Sequence, residues 1–216
     1  SAPRSSVRWI PSSARSSLSN MRRPPLHLVE PPRTGGSLVD RIIGVAKLQE
    51  PVYAEIKRDA SALNQAVIVV LLSALATNVW VAVFAPNGLV RALGGVVLAF
   101  VAWLLFGTLA WWLGTRWFSP KWAPPDLRQM LTLTGFATAP AVLNILGFVP
   151  VVGWLILMVA SIWSLLTAYT AVRVGLAADE RNGLAATFIA YLANAVLFAL
   201  AANLLGIGRG GGFLLP

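Results

Sequence analysis

The groups that could do chemistry in this chain are its acids, its single imidazole and its hydroxyls. The carboxylates are Glu30, Asp40, Glu50, Glu55, Asp59, Asp126, Asp179 and Glu180, and His27 is the only histidine. Every one of these lies outside five long apolar stretches, and no Lys or Arg falls deep within one. Proton relays, ion-coupled carriers and voltage sensors are built on intramembrane charge, so a coupled transporter is disfavoured. Hydrolysis inside a bilayer needs a nucleophile with its base, two carboxylates or a metal cluster. Ser73, Ser161 and Ser164 lie in apolar stretches with no His or Lys partner at that depth, and His27 belongs to a polar tail, where it is solvated. The absence of cysteine removes thiol nucleophiles, thiolate metal sites, disulfides and palmitoylation. No catalytic, metal or cofactor-binding residue is expected, and no cofactor; the chain does not read as an enzyme.

What the apolar stretches hold instead is small and neutral polar residues. Gly95, Ala99, Ala102, Ala110 and Gly114 share about a third of one helix circumference, a surface on which another backbone can come close. Asn78, Asn144, Tyr191, Asn194 and Asn203 offer hydrogen bonds, as do Ser161, Ser164, Thr167 and Thr170. The stretch TLTGFATAPAVLNILGFVPVVG, residues 132–153, adds Gly135, a helix breaker at Pro140 and an amide at Asn144. Proline frees a carbonyl about one turn back, near Phe136; Thr134, Thr138 or a nearby asparagine is the expected donor. The candidate packing or polar-lining positions are therefore Asn78, Gly95, Ala99, Gly114, Gly135, Pro140, Asn144, Tyr191 and Asn194.

Composition says which elements must carry them. With 57% apolar and 12% charged residues, against about a quarter charged in soluble proteins, the chain is short of polar surface, and the bilayer is its solvent. Five segments, 66–85, 92–114, 131–149, 154–174 and 184–207, are each near the roughly 20 residues that cross a membrane as a helix. The expected class is an all-α integral membrane protein, five transmembrane helices preceded by a cytoplasmic amphipathic segment. The net charge of +9 follows topology rather than a basic face for nucleic acid. Lys57, Arg58, Arg116, Lys121, Arg128, Arg173 and Arg181 fall on one side and Arg91 and Arg209 on the other, so the positive-inside rule puts the N-terminus in the cytoplasm and the C-terminus outside. Trp111, Trp112, Trp117, Phe118 and Trp122 form an aromatic belt at the cytoplasmic end of the second span.

Four regions result. Residues 1–37 are a basic tail rich in Ser, Arg and Pro, with the composition of disorder. A transit peptide, a lipid-binding arm, and a start at Met21 with 1–20 as an upstream artefact all remain open for it. Residues 38–61 hold amphipathic helices, the first with Leu38, Val39, Ile42, Ile43, Val45 and Ala46 on one face and Asp40, Gly44 and Lys47 on the other. Pro51 suits the first turn of the second helix, Val52 to Asp59, where Glu55 and Arg58 can pair, and Asp59 or Ser61 can cap the first span. Residues 62–207 are the five-span domain and 208–216 a short outer tail.

The stretches RIIGVAKLQEPVYAEIKRDASALNQA, DLRQMLTLTGFATAPAVLNILGFVPVVGW and WSLLTAYTAVRVGLAAD, in that order, resemble the Yip family of Ypt/Rab-interacting five-span membrane proteins, in particular its prokaryotic branch, over about residues 38–206. The resemblance implies a cytoplasmic N-terminus, five spans, no enzymatic activity and a place in a bacterial inner membrane. The acidic, Tyr-Gly-Pro-bearing motif of trafficking members is missing, so GTPase binding is not implied. The expected partners are the lipid bilayer and other membrane proteins or further copies of the chain. Two function classes follow: a scaffold, assembly or membrane-organisation factor, and a passive path or carrier for a small neutral solute or lipid. The directions of Asn78, Asn144 and Asn194 discriminate between them, since convergence on a cavity favours passage and burial against neighbouring helices favours a scaffold.

Overall fold

The first helix starts where Ser37 accepts a hydrogen bond from Asp40 N (3.2 Å), an N-cap that satisfies one of the helix's orphan donors. In the computed structural model, which describes residues 36–118, 126–149 and 151–204, this is α1 (Leu38–Ala46), followed by α2 (Glu50–Arg58) with Pro51 in its first turn. Then come α3 (Ala62–Phe84), α4 (Gly88–Leu113) running on as a π-helical turn through Phe118, α5 (Leu127–Phe136) continued by a 3₁₀-helix over Ala139–Phe148, α6 (Gly153–Leu176) and α7 (Glu180–Leu204). Among the described residues there is no strand. The basic tail up to residue 35, with Met21 and His27, Trp122, and the end from residue 205 lie outside the described residues.

Among the described residues four helical stretches are long and apolar enough to cross a membrane: Ala62–Phe84, Gly88–Phe118, Leu127–Phe148 and Gly153–Leu176. Their packing is inverted relative to a soluble bundle. Alanines 66, 74, 110, 168 and 171 fill the interior, whereas Val83, Leu93, Ile162 and Leu192 point outward, more than half exposed. Without water to expel from between spans, close backbone approach replaces bulky apolar burial as the source of cohesion. The chain is a multi-pass membrane protein.

Large side chains are buried chiefly at one end, where α1 and α2 pack against the starts of α3 and α5 and the end of α6. Tyr53, Ile56, Met130, Leu133, Phe136 and Leu176 are fully enclosed there. The faces of α1 differ from the expected ones. Arg41, Gly44 and Val45 are buried, and Val39 and Ile43 are exposed. Gly44 turns inward because Val52 of α2 sits where its side chain would be, and Arg41 because acids gather around it. Glu55 consequently pairs with Arg41 and not with Arg58. Ser61 makes no capping bond to α3; Asp59 instead accepts from Ser61 N and Oγ (2.8 and 2.7 Å).

The third crossing departs most from a plain helix. Its α-helical ladder ends at Phe136, and from Ala139 the chain winds as a 3₁₀-helix, with Pro140 in the first turn. Ten residues is long for this tighter form. It is held by donors outside its own ladder, described next.

Candidate functional site

Three carbonyls flank the break, and each has a hydroxyl on it. Gly135 O accepts from Thr138 Oγ1 (2.8 Å), Ala137 O from Thr167 Oγ1 of α6 (2.7 Å) and Thr138 O from Ser73 Oγ of α3 (2.8 Å). Gly135 O and Thr138 O also accept from the backbone, from Thr138 N (3.2 Å) and Ala141 N (2.9 Å). Thr167 supplies a donor to Ala137 O, which unmatched in hydrocarbon would cost several kcal/mol, and Thr167 and Ser73 together tie three spans to one another. Thr138 was among the expected donors. Thr134 bonds Met130 O and Leu131 O inside α5, and among the described residues no asparagine serves the break. Thr167 was expected to offer a hydrogen bond, but its acceptor is 30 residues away, and Ser73, 65 residues from the carbonyl it serves, was not expected as a donor.

The candidate positions fall into separate places. Asn78 donates to Ala74 O in its own helix (2.9 Å) and stands against Gly95, where a methyl group on Gly95 would overlap the Asn78 amide. Gly114 admits the buried Leu176 side chain, and Gly135 admits Ala66 and the Trp103 ring. Pro140 is buried at the break. Asn144 donates to Thr77 Oγ1 of α3 (3.0 Å), but its own Oδ1 is buried with no partner. Ala99, Tyr191 and Asn194, with Thr134, Ala137 and Ser164, line a cavity of about 270 Å³ among α4, α5, α6 and α7. Phe106 meets Tyr191 there with ring centroids 4.5 Å apart. Ser164 Oγ and Asn194 Oδ1 are the buried polar atoms in this cavity without a partner. The three asparagines do not converge: only Asn194 reaches the cavity. Ser73 and Ser161, considered as nucleophiles, donate to Thr138 O and Leu157 O.

Asn144→Leu tests how much such a bond holds. Hydrogen bonds between spans average about 0.6 kcal/mol, and removing Asn144 also relieves an unsatisfied buried oxygen. The variant should therefore melt within a few degrees of the parent in detergent. A large loss would mean that the Asn144–Thr77 pair is a principal tie between α3 and the third crossing.

A second polar focus sits at the end where α1 and α2 pack. Arg41, 2% exposed, donates through Nη1 to Gln65 Oε1 (2.9 Å) and through Nη2 to Glu55 Oε1 (3.1 Å) and Asp59 Oδ2 (2.7 Å). Hydrogen bonds from Ser61, and then from Arg41, pull the Asp59 carboxyl down to about 2. Lys57 Nζ donates to Val174 O and Gly175 O (3.1 and 3.0 Å), placing a cation on the carbonyls of the last turn of α6; burial pulls its pKa down. Arg173 near that end pairs with Glu50, and Arg128 donates to Ala60 O. Arg116 lies 5.8 Å from the Trp112 ring centroid, beside Trp117. Among the described residues no three His, Cys, Asp or Glu side chains form a group able to hold a metal ion.

A family model described as the Yip1 domain matches residues 48–203, from the turn after α1 almost to the end of α7. No curated protein and no solved structure matches the chain.

Proposed function

The chain belongs to the Yip1 domain family, and from that premise we propose that it is a non-enzymatic scaffold, assembly or membrane-organisation factor of the family's prokaryotic branch. It crosses a bacterial inner membrane five times, α7 being the fifth crossing: its 25 residues reach about 37 Å at about 1.5 Å per residue. The Lys and Arg residues clustered at the α1–α2 end favour that end as cytoplasmic, with the C-terminus outside. On this reading residues 1–37 are a cytoplasmic tail, 38–61 an amphipathic helical hairpin, 62–207 the membrane domain and 208–216 a short outer tail. Its partners are the bilayer and other membrane proteins or further copies of itself; GTPase recognition has no motif to rest on.

The observation that carries the scaffold reading is where the polar side chains go. Asn144, Thr167 and Ser73 bond between spans and Asn78 bonds within its own helix, so three of these four tie spans together and none of the four lines the cavity. The unpartnered Ser164 and Asn194 in the cavity favour a second reading, a passive path or carrier for a neutral solute or lipid. Flux separates the two. Vesicles containing the purified protein should release glycerol and urea no faster than protein-free vesicles, and should scramble fluorescent lipid no faster. Acceleration of either process, abolished by Ser164→Leu or Asn194→Leu, would replace the scaffold by the path.

A further inference from the structure

Helix α1 and the turn after it lie alongside α6, not beyond its end. Trp163 Nε1 donates to Ala46 O (2.7 Å), and Trp163 precedes Arg173 by ten residues, about 15 Å of helix axis. Arg173, paired with Glu50, marks the polar end of α6. Leu48 shares one shallow apolar groove with Val159, Ile162, Trp163 and Leu166. The groove residues Leu166 to Val159 lie 7 to 14 residues before Arg173, about 10–21 Å of helix axis, so the turn lies well within the acyl region of one leaflet and approaches the midplane at about 15 Å.

Two independent features suit this depth. The first is the backbone account. A helix end in water can leave its last carbonyls to solvent, whereas one in hydrocarbon cannot. Ile43 O accepts from Lys47 N, Gly44 O from Gln49 N, Val45 O from Leu48 N and Tyr53 Oη, and Ala46 O from Trp163. All four carbonyls at the end of α1 are thus matched by protein donors. The second is the residue at the tip. Leu48 has φ 57, a left-handed conformation that favours Gly or Asn; an exposed leucine there is out of place in water and at home among acyl chains. Val39, Ile43 and Leu48 are 60%, 46% and 37% exposed. Lys47 and Gln49 are exposed beside it, and their long side chains can extend back to the headgroups.

We infer that the α1–α2 hairpin is a wedge inserted among the acyl chains of a single leaflet, with Ile43 and Leu48 in contact with lipid. The wedge rests on the membrane-organisation reading and gives it a physical means: α1 and α2 add protein volume to one leaflet only. The chain has no cysteine, so L48C, I43C and, as the polar reference, D40C each accept one nitroxide in the full-length protein in vesicles. Collision with oxygen relative to collision with a water-soluble nickel chelate should be several-fold higher at 43 and 48 than at 40. Two independent positions keep the test informative if one variant misfolds, and V39C provides a third. Equal nickel access at 40, 43 and 48 would overturn the wedge and leave the hairpin in water. Protection of 43 and 48 from both reagents would also overturn it, because another protein surface, not lipid, would then cover them. Solute or lipid flux in the vesicle assay refutes the scaffold without altering these collision ratios, so the two failures are distinguishable.

Discussion

Arg41→Leu should cost the protein about 3 kcal/mol, the low end of the roughly 3–5 kcal/mol seen when one partner is removed from a buried ion pair. The low end applies because Glu55 and Asp59 are about a quarter exposed and water can recover part of their solvation. The loss exceeds that of an ordinary surface pair, at about 0–1 kcal/mol, since Arg41 joins three elements at once: α1 by its backbone, α2 and its end through Glu55 and Asp59, and α3 through Gln65. Thermal unfolding in detergent measures it, and a variant as stable as the parent would reduce the cluster to a surface contact. Acid supplies a second arm. The Asp59 carboxyl is depressed from 3.8 to about 2, so its stabilisation is complete above the unfolded value and is lost as pH falls through about 2. In Arg41→Leu the decline over that interval should be shallower but still present, because the Ser61 bonds to Asp59 remain.

Gly135→Leu is expected to be strongly damaging. A Cβ at this position would lie 2.9 Å from Ala66 Cβ and 3.3 Å from the Trp103 indole, and a leucine would force α3 and α4 apart from α5. Overpacking typically costs about 1–3 kcal/mol, and separation would also strain the Trp103 Nε1 bond to Leu131 O (3.2 Å). A total of about 3 kcal/mol or more follows, seen as early unfolding on titration with a denaturing detergent. Gly135→Ala should lose less, since a methyl group asks for a smaller shift. Parent-like stability in Gly135→Leu would show that the three helices are not in the close contact that defines this part of the bundle.

These two positions also mark what a sequence can and cannot disclose. Apolar length located α3, α4 and α6, because a helix in lipid needs length and composition and nothing from its neighbours. Small residues such as Gly114 and Gly135 announced close packing without naming what fills the space, and Leu176 and Ala66 became visible only in three dimensions. Pro140 signalled a broken span, but a kink and a long 3₁₀-helix look alike in one dimension. The donors on the carbonyls at the break, Thr167 and Ser73, come from other spans and are not visible in the local sequence. Arg41 was the least legible residue. By type it belongs outside, and only the convergence of Glu55, Asp59 and Gln65 on its guanidinium makes the interior tolerable. On α1 the apolar stripe was visible, but a stripe does not say whether protein or lipid lies against it.

The place of the hairpin ahead of the membrane helices has a consequence in time. Two of the hairpin's partners are made late: Tyr53 bonds Thr167 O, 114 residues further on, and Lys57 bonds Val174 O, 117 residues further on. At about 5–20 residues per second of synthesis, those partners emerge roughly 6 to 23 seconds after the hairpin itself. Through that interval Val45, Tyr53 and Ile56 have no α6 to close over them, and α3 and α4 insert while they wait. The hairpin, made before all of the membrane helices α3–α7, thus completes its contacts only after α6 has been made.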